Sequence, residues 1–528
     1  MLRDKKFYIA LSMAVFLSVN SGCSRVGPDF SSPLRVELPK KPISGKGTKD
    51  PSIEKWWHIY SDRDLNRLVK ALYRQSPDLE AAGTRIVQAR AMLGISIGMS
   101  LPQKQTVSGS AMVSDDNSAS ASHSVVTSSF EAGWELDLWG KYARGIESSK
   151  AGLYAAIASY NDILVSLIAE MAKNYIQYRT TQERIVYARR NIAIQEYVTR
   201  VTEIQFRSGN VSELDMQQAR TQLHSTRAAL YELELSLARY ESAMSTLLGI
   251  PSGRLGEYID RKDVRDDLVR RLDTKGESTF QIDEKSGSAI GISLVPMPRF
   301  DPSIPIDAEL ITRRPDIRAA EYLAHAQSAR IGMSEAELYP SFSLLGSISY
   351  GKDSRYPHTV SIVAGPSFAW NIFQYGRIKN DIRLQDALFE ERLCDYNKKV
   401  ISALNEVTYS LKNYKITLRQ FEENKKAVEA SVRAFNISMR QYSEGLVSYQ
   451  RLLNSVEKLT RYQDQHARIK GSLSVAVVSI YRSLGGGWQI SRGGRYLSRE
   501  SVERMKSRSD WGDMLEESSI VIPKGWKG

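Results

Sequence analysis

The chain has 528 residues, 42% of them hydrophobic and 25% charged, with a formal charge of +12 carried on interleaved acids and bases. That interleaving reads as a solvated, charge-laced helical surface rather than a nucleic-acid-binding tract. Two cysteines, Cys23 and Cys394, exclude a disulfide framework and a cysteine-rich metal site, and no HExxH, P-loop or GxSxG pattern is present. Neither a cofactor nor an enzymatic site is expected.

In chain order, a charged lead "MLRDKK" precedes the apolar run "FYIALSMAVFLSV" from Phe7 to Val19. Such a run is too short to span a bilayer as a helix and suits the core of a secretory signal. Small residues Ser21 and Gly22 then lead to Cys23, as in a bacterial lipobox, although Asn20 replaces the leucine that pattern prefers. The expectation is a signal peptide over 1–22 and a lipidated Cys23 heading an arm over 23–60. A plain signal with an incidental cysteine is the alternative. Each buried acyl methylene would add roughly 0.8 kcal/mol to membrane attachment. Trp56 and Trp57 are expected to pin the arm to the body of the protein, with His58 at the surface.

From residue 61 the sequence is written twice. Pro77, Asp78, Ala81, Ala82, Gly94 and Pro102 return as Pro315, Asp316, Ala319, Ala320, Gly332 and Pro340. Trp134 and Gly140 return as Trp370 and Gly376, and "QFRSGNVSELD" returns as "QYSEGLVSYQR". The units span 61–250 and 308–488, joined by a segment over 251–307 and followed by a tail over 489–528. That tail shows no clear periodicity and reads as a flexible or belt-wrapping extension.

Each unit starts with a proline-led helix that Pro102 or Pro340 stops. Two β-like segments follow. In the second unit Val360, Ile362, Ala364, Phe368, Trp370 and Ile372 share one face, and the loop "GKDSRYPH" separates that strand from "SFSLLGSISY". The first unit has the longer loop "SDDNSASASH". After Gly140 or Gly376 a helical pattern runs to Phe206 or Tyr442, about 100 Å at roughly 1.5 Å per residue. Heptad ladders such as Met216, Leu223, Leu230, Leu237, Met244 mark the return helix as coiled coil, and Ile194, Tyr197, Val201 and Ile204 do so on the outgoing one. The repeated turn is the tip of this hairpin: Gly209 and Gly445 make it, and Ser212 and Ser448 are placed to cap the next helix.

Four strands of about ten to fourteen residues suit a membrane, but they cannot close a barrel, and open edges in lipid leave backbone groups unpaired. The fold class read here is mostly α with a transmembrane β-barrel. Three chains would share twelve strands, standing on an α-helical barrel.

The motifs "VGPDFSSP", "WWHIYSDRDLNRLVKAL", "WELDLWGK", "LITRRPDIRAAE", "LYPSFSL" and "SIYRSLGGGW" cover Cys23 to Trp488. On these the chain resembles the TolC-type outer-membrane efflux proteins, in the lipoprotein branch of OprM- and CusC-like, NodT-like factors. The resemblance implies a homotrimeric exit duct in the outer membrane, serving an inner-membrane transporter through a periplasmic adaptor and passing drugs or metal ions. A duct for protein or peptide secretion and a non-pore coiled-coil scaffold are the alternatives. The resemblance also implies that the tips, Arg207, Ser208, Gly209, Asn210 and Ser212 with Ser443, Glu444, Gly445 and Ser448, dock the adaptor. Asp215, Arg440 and Glu444 are candidates for polar contacts that close the resting aperture. Trp134, Trp139, Trp370 and Tyr375 read as an aromatic belt at the membrane interface, with packing beneath the rim as the competing role.

Overall fold

The computed structural model describes residues 25–31, 53–116, 121–260, 294–300, 312–354, 356–491 and 495–516. The signal peptide, Cys23 and most of the inter-repeat segment lie outside these residues.

After a short turn of helix at Trp56–Tyr60 come α1 (Arg63–Gln75) and α2 (Pro77–Ser100). Strands β1 (Lys104–Asp116) and β2 (Ala121–Leu136) follow, then the hairpin of α3 (Lys141–Arg207) and α4 (Glu213–Leu248). The second unit repeats this order as α5 (Pro315–Ala336), β3 (Ser341–Asp353), β4 (Tyr356–Ala369), α6 (Arg377–Ser443) and α7 (Tyr449–Ser483). Pro77 and Pro315 both occupy the first helical turn, where a missing amide hydrogen costs nothing. Gly140 and Gly376 precede α3 and α6 at φ +80 and +82, a conformation that favours glycine. The two loops read from sequence are largely strand instead. β1 continues to Asp116 and β3 to Asp353, because ladder pairing can proceed through polar residues once register is set.

α3 and α6 have 67 residues each, about 100 Å at roughly 1.5 Å per residue. α3 is long and apolar enough to cross a membrane, yet its apolar side chains are core. Ile168, Tyr175 and Ile176 are fully buried with Leu65 and Leu72 of α1 and with Val477 of α7. The packing follows the repeat unevenly: α5 lies extensively against both α3 and α6, whereas α2 lies chiefly against α3 and only touches α4. Trp56 and Trp57 are buried as expected, Trp56 stacking on Tyr481 at 5.4 Å, while His58 stays exposed. On α4 the heptad residues Met216, Ala219, Leu223, Thr226 and Leu233 are buried. Ile204 of α3, expected on the seam, is 60% exposed, because the seam frays at the last turn.

Of the two readings of the tail, flexible or wrapping, its described part is ordered and lies against the body of the protein. Residues Arg499–Lys506 form α8, capped by Ser498, and the segment clasps α2. The Ser498 amide and hydroxyl donate to the Glu80 carboxylate at 3.0 and 2.9 Å. Tyr496 meets Tyr160 edge to face at 5.0 Å. Arg90 donates to the carbonyls of Met514 and Glu516. Its helix is eight residues long, too short for a periodicity to show.

Candidate functional site: a pore wall with two open edges

The four strands form one antiparallel sheet in the order β1-β2-β3-β4. Register sorts the side chains onto two unlike faces. Phe130 lies opposite Ile348 and Val107, and Ile348 lies opposite Ile362. Trp134, Leu344 and Phe368 share that face through the same alternation, and all of these large apolar side chains are exposed. The opposite face carries hydroxyls. Ser108 meets Ser129 and Ser110 meets Thr127, each at 2.8 Å, with Ser347 and Ser349 beside them. Its charges near the helix end include the paired Lys104 and Glu131. One face therefore suits lipid and the other water. The strand face predicted for the second unit holds for Val360, Ile362, Ala364 and Phe368, but β4 ends at Ala369, so Trp370 and Ile372 lie beyond it.

Among the described residues, β1 and β4 each have a strand on one side only. A row of unpaired amides and carbonyls thirteen or fourteen residues long is thus open on both edges. In hydrocarbon each unpaired group costs several kcal/mol, so a membrane-embedded sheet of this kind requires further strands.

Below the sheet the aromatic residues divide. Trp134 and Trp370 keep their rings exposed while donating to the Ser100 and Leu338 carbonyls at 3.2 and 3.0 Å. Tyr375 is fully exposed at φ +47. Trp139 instead packs beneath the rim, stacked on Tyr339 at 4.7 Å and donating to the Pro340 carbonyl at 2.8 Å.

The arm docks at this junction through a residue the sequence reading missed. Arg144, 2% exposed, donates to the Val26 and Gly27 carbonyls at 3.2 and 3.0 Å and to Asp29 and Glu147 at 2.8 and 2.9 Å. Gly27, at φ +85, lies so close to Gly332 that a Cβ would collide with that residue's backbone. Phe30 stacks on His325 at 4.7 Å. The motif "VGPDF" was visible, but its receptor lies more than a hundred residues away and leaves no local pattern.

At the far ends the two hairpin tips share one turn geometry. The Gly209 amide donates to the Phe206 carbonyl and the Asn210 amide to Gln205, both at 2.9 Å; Gly445 and Leu446 repeat this on Tyr442 and Gln441 at 3.0 and 2.8 Å. This paired bonding around a glycine at φ +74 or +73 is a Schellman closure. Ser208 and Ser443 hydroxyls bond back to the Ile204 and Arg440 carbonyls, while Arg207 ends α3. The caps differ. Ser212 and Asp215 form a reciprocal capping box, whereas the Ser448 side chain makes no capping bond, which corrects the expectation for it. Asp215 is thereby committed to its own helix. Arg440 and Glu444 make no ion pair among the described residues. A link the sequence reading missed joins the hairpins: the Thr202 hydroxyl lies 3.1 Å from that of Tyr442.

Compared with known proteins, the chain matches the family described as outer membrane efflux protein over residues 68–250 and 308–486, the two copies of the repeat. It is 28% identical over 407 residues to nodulation protein T of Rhizobium leguminosarum bv. viciae, covering 76% of this chain and 77% of that protein. It is 26% identical over 469 residues to the pyoverdine export outer membrane protein OpmQ of Pseudomonas putida, covering 85% and 91%. The solved outer-membrane channel OprN is similar with a TM-score of 0.72 at 28% identity, over 88% of this chain and 99% of that one.

Proposed function

The chain belongs to the outer membrane efflux protein family, and on that premise we propose that it works as a homotrimer, the lipid-anchored exit duct of a tripartite efflux system. It is an outer-membrane channel, not an enzyme. The observation that carries the trimer is the sheet with one apolar face, one hydroxyl-lined face and two unpaired edges. Three copies would supply twelve strands and leave no edge, with lipid outside and water within. Helical faces support the same reading. Ala158 and Val165 of α3 are buried at 0% and 4% exposure. Their counterparts 236 residues on, Cys394 and Ile401 of α6, are exposed. A neighbouring copy would cover them as α5 covers α3.

In this reading the acyl chains of Cys23 sit near the barrel rim, because residues 25–29 are held by Arg144 at the junction of strands and helices. The hairpins reach roughly 100 Å into the periplasm, where the tips around Gly209 and Gly445 meet an adaptor that links an inner-membrane transporter. Arg440 and Glu444, which make no ion pair among the described residues, suit aperture or adaptor contacts there. The cargo class is small molecules, by analogy with a relative named for pyoverdine export.

Membrane fractionation and light scattering of the detergent-extracted protein test this reading. A mass near three chains from the outer membrane, with ion conductance in planar bilayers, is expected. Soluble or monomeric protein would refute it. For the tips, replacing Gly209 and Gly445 with Val strains each turn at φ +74 and +73 but meets no neighbouring atom, so it should distort the tips and abolish export while leaving trimers intact. Loss of the trimers would assign these glycines to folding instead.

A further inference from the structure

The repeat contains a record of its own missing interface. Within one chain α7 lies against α3, and the contact is specific. Thr180 presses on Gly471 so closely that a Cβ on the glycine would collide with it. Asn191 donates to Gln463 at 3.1 Å. Fully buried Glu183 accepts from the Lys470 ammonium at 3.0 Å, and its carboxylate also takes the Leu294 and Val295 amides. A carboxylate with no solvent contact is tolerated only with such a full set of partners.

The helices of the two units are in register throughout, from Lys141 and Arg377 at the start to Gly249 and Gly485 after the return helix. Each contact therefore has a counterpart 236 residues away. Thr180 and Glu183 of α3 correspond to Ile416 and Arg419 of α6. Ala467, Lys470 and Gly471 of α7 correspond to Tyr231, Glu234 and Leu235 of α4. In a single chain this second set faces solvent: Leu235 is 74%, Tyr231 70% and Ile416 54% exposed. Arg419 is exposed and makes no ion pair among the described residues. Among the described residues Glu234 reaches only Arg189 of its own hairpin, at 3.5 Å.

We propose that at each boundary between copies of this chain Arg419 pairs with Glu234 of the next copy while Ile416 packs on its Leu235. The pair is the charge-inverted counterpart of Glu183–Lys470. Inside the chain the first unit carries the acid and the second the base on the helices that meet. Between chains the arginine lies on the second unit's outgoing helix and the acid on the first unit's return helix. The inversion has a consequence for assembly. Setting two first units side by side would oppose Glu183 to Glu234, and two second units would oppose Arg419 to Lys470. Only alternation of first and second units around the ring matches every charge, so the ladder rejects misordered rings as well as favouring the correct one. The bulkier Leu235 and Ile416 set their helices further apart than Gly471 and Thr180 do.

This inference rests on the trimeric reading above, and the test separates the two. In full-length protein carrying Cys394→Ala, Leu235→Cys and Ile416→Cys are introduced together and treated in membranes with a short bismaleimide. Covalent species of two and three chains are expected, and none from either single variant. A native mass of three chains with no cross-linking would overturn the pairing and leave the trimer standing. A native mass of one chain would overturn both. Independently, Arg419→Glu alone should raise the dissociated fraction on heating in detergent by on the order of tenfold. Adding Glu234→Arg should restore assembly; a double variant no better than the single one would overturn the charge pairing.

Discussion

α3 and α6 are equal in length and in register, yet α3 has 34 buried residues and α6 has 19. Composition alone does not account for this. The chain surrounds α3 with α1, α2, α4, α5 and α7, whereas α6 packs mainly on α5 and α7 among the described helices and reaches α3 only towards its tip, where Tyr442 meets Thr202. The same helix thus appears once as a core element and once as a surface element, according to whether its neighbours come from its own chain. The exposed face of α6 is a half-interface, and its buried twin shows what the other half must resemble.

Exchanging residues between the two copies probes this difference. The largest effect is expected at Arg144, whose counterpart is the exposed Asn380. Arg144→Ala leaves the Val26 and Gly27 carbonyls without their donor and Glu147 with His325 alone, and should cost roughly 3 kcal/mol, since each covered acceptor left unpaired costs about 1–3 kcal/mol. Asn380→Ala should change stability by less than about 0.5 kcal/mol. Thermal unfolding of the two variants in detergent checks this.

The next concerns pH. His466 stacks on Phe421 at 5.0 Å, and burial, with Lys470 and Lys425 nearby, pushes its pKa down to about 4. The folded state therefore resists the proton that the unfolded chain accepts near pH 6.5. Its contribution is intact above that pH and is lost as pH falls from about 6.5 to 4, by roughly 2–3 kcal/mol. His466→Leu, which writes the first unit's Leu230 into the second, should flatten the stability profile in that window.

Ala158→Leu should overpack the buried face of α3 and cost about 1–3 kcal/mol. Its α6 counterpart Cys394 serves as a reporter. Maleimide should label it readily in unassembled chains and at least about tenfold more slowly in assembled trimers, as covered groups react only through opening. Equal labelling would mean that the α6 face is not an interface. The smallest difference is at the tips. Ser212→Ala removes a capping box and should cost about 1 kcal/mol. Ser448→Ala removes no capping bond and should cost almost nothing, read by hydrogen exchange at the first turns of α4 and α7.

Much of the architecture was legible from residue order. The duplication, the proline-led helices, the strand pairs, the glycine turns and the heptad seam of α4 have local causes, namely backbone conformation at Gly209 or Pro77 and side-chain period along one element. The paired Ser212 and Ser448 show the limit of that reading: the same residue in the same turn caps once and not the other time, since Asp215 returns a bond to Ser212 and completes the box, whereas the amide of Arg451, its counterpart, donates to the Ser448 carbonyl and not to its hydroxyl.

What tertiary structure alone decided are the partners far apart in sequence. Arg144 receives the arm from 115 to 118 residues away, and Glu183 finds Lys470 at a separation of 287. The tail docks on α2 across more than four hundred residues. The two faces of the sheet become distinct only when register brings four strands side by side. Hydrophobic period reports which way a side chain points along its own helix or strand. It carries no information about what stands opposite, and in this protein what stands opposite decides whether a repeated residue becomes core or interface.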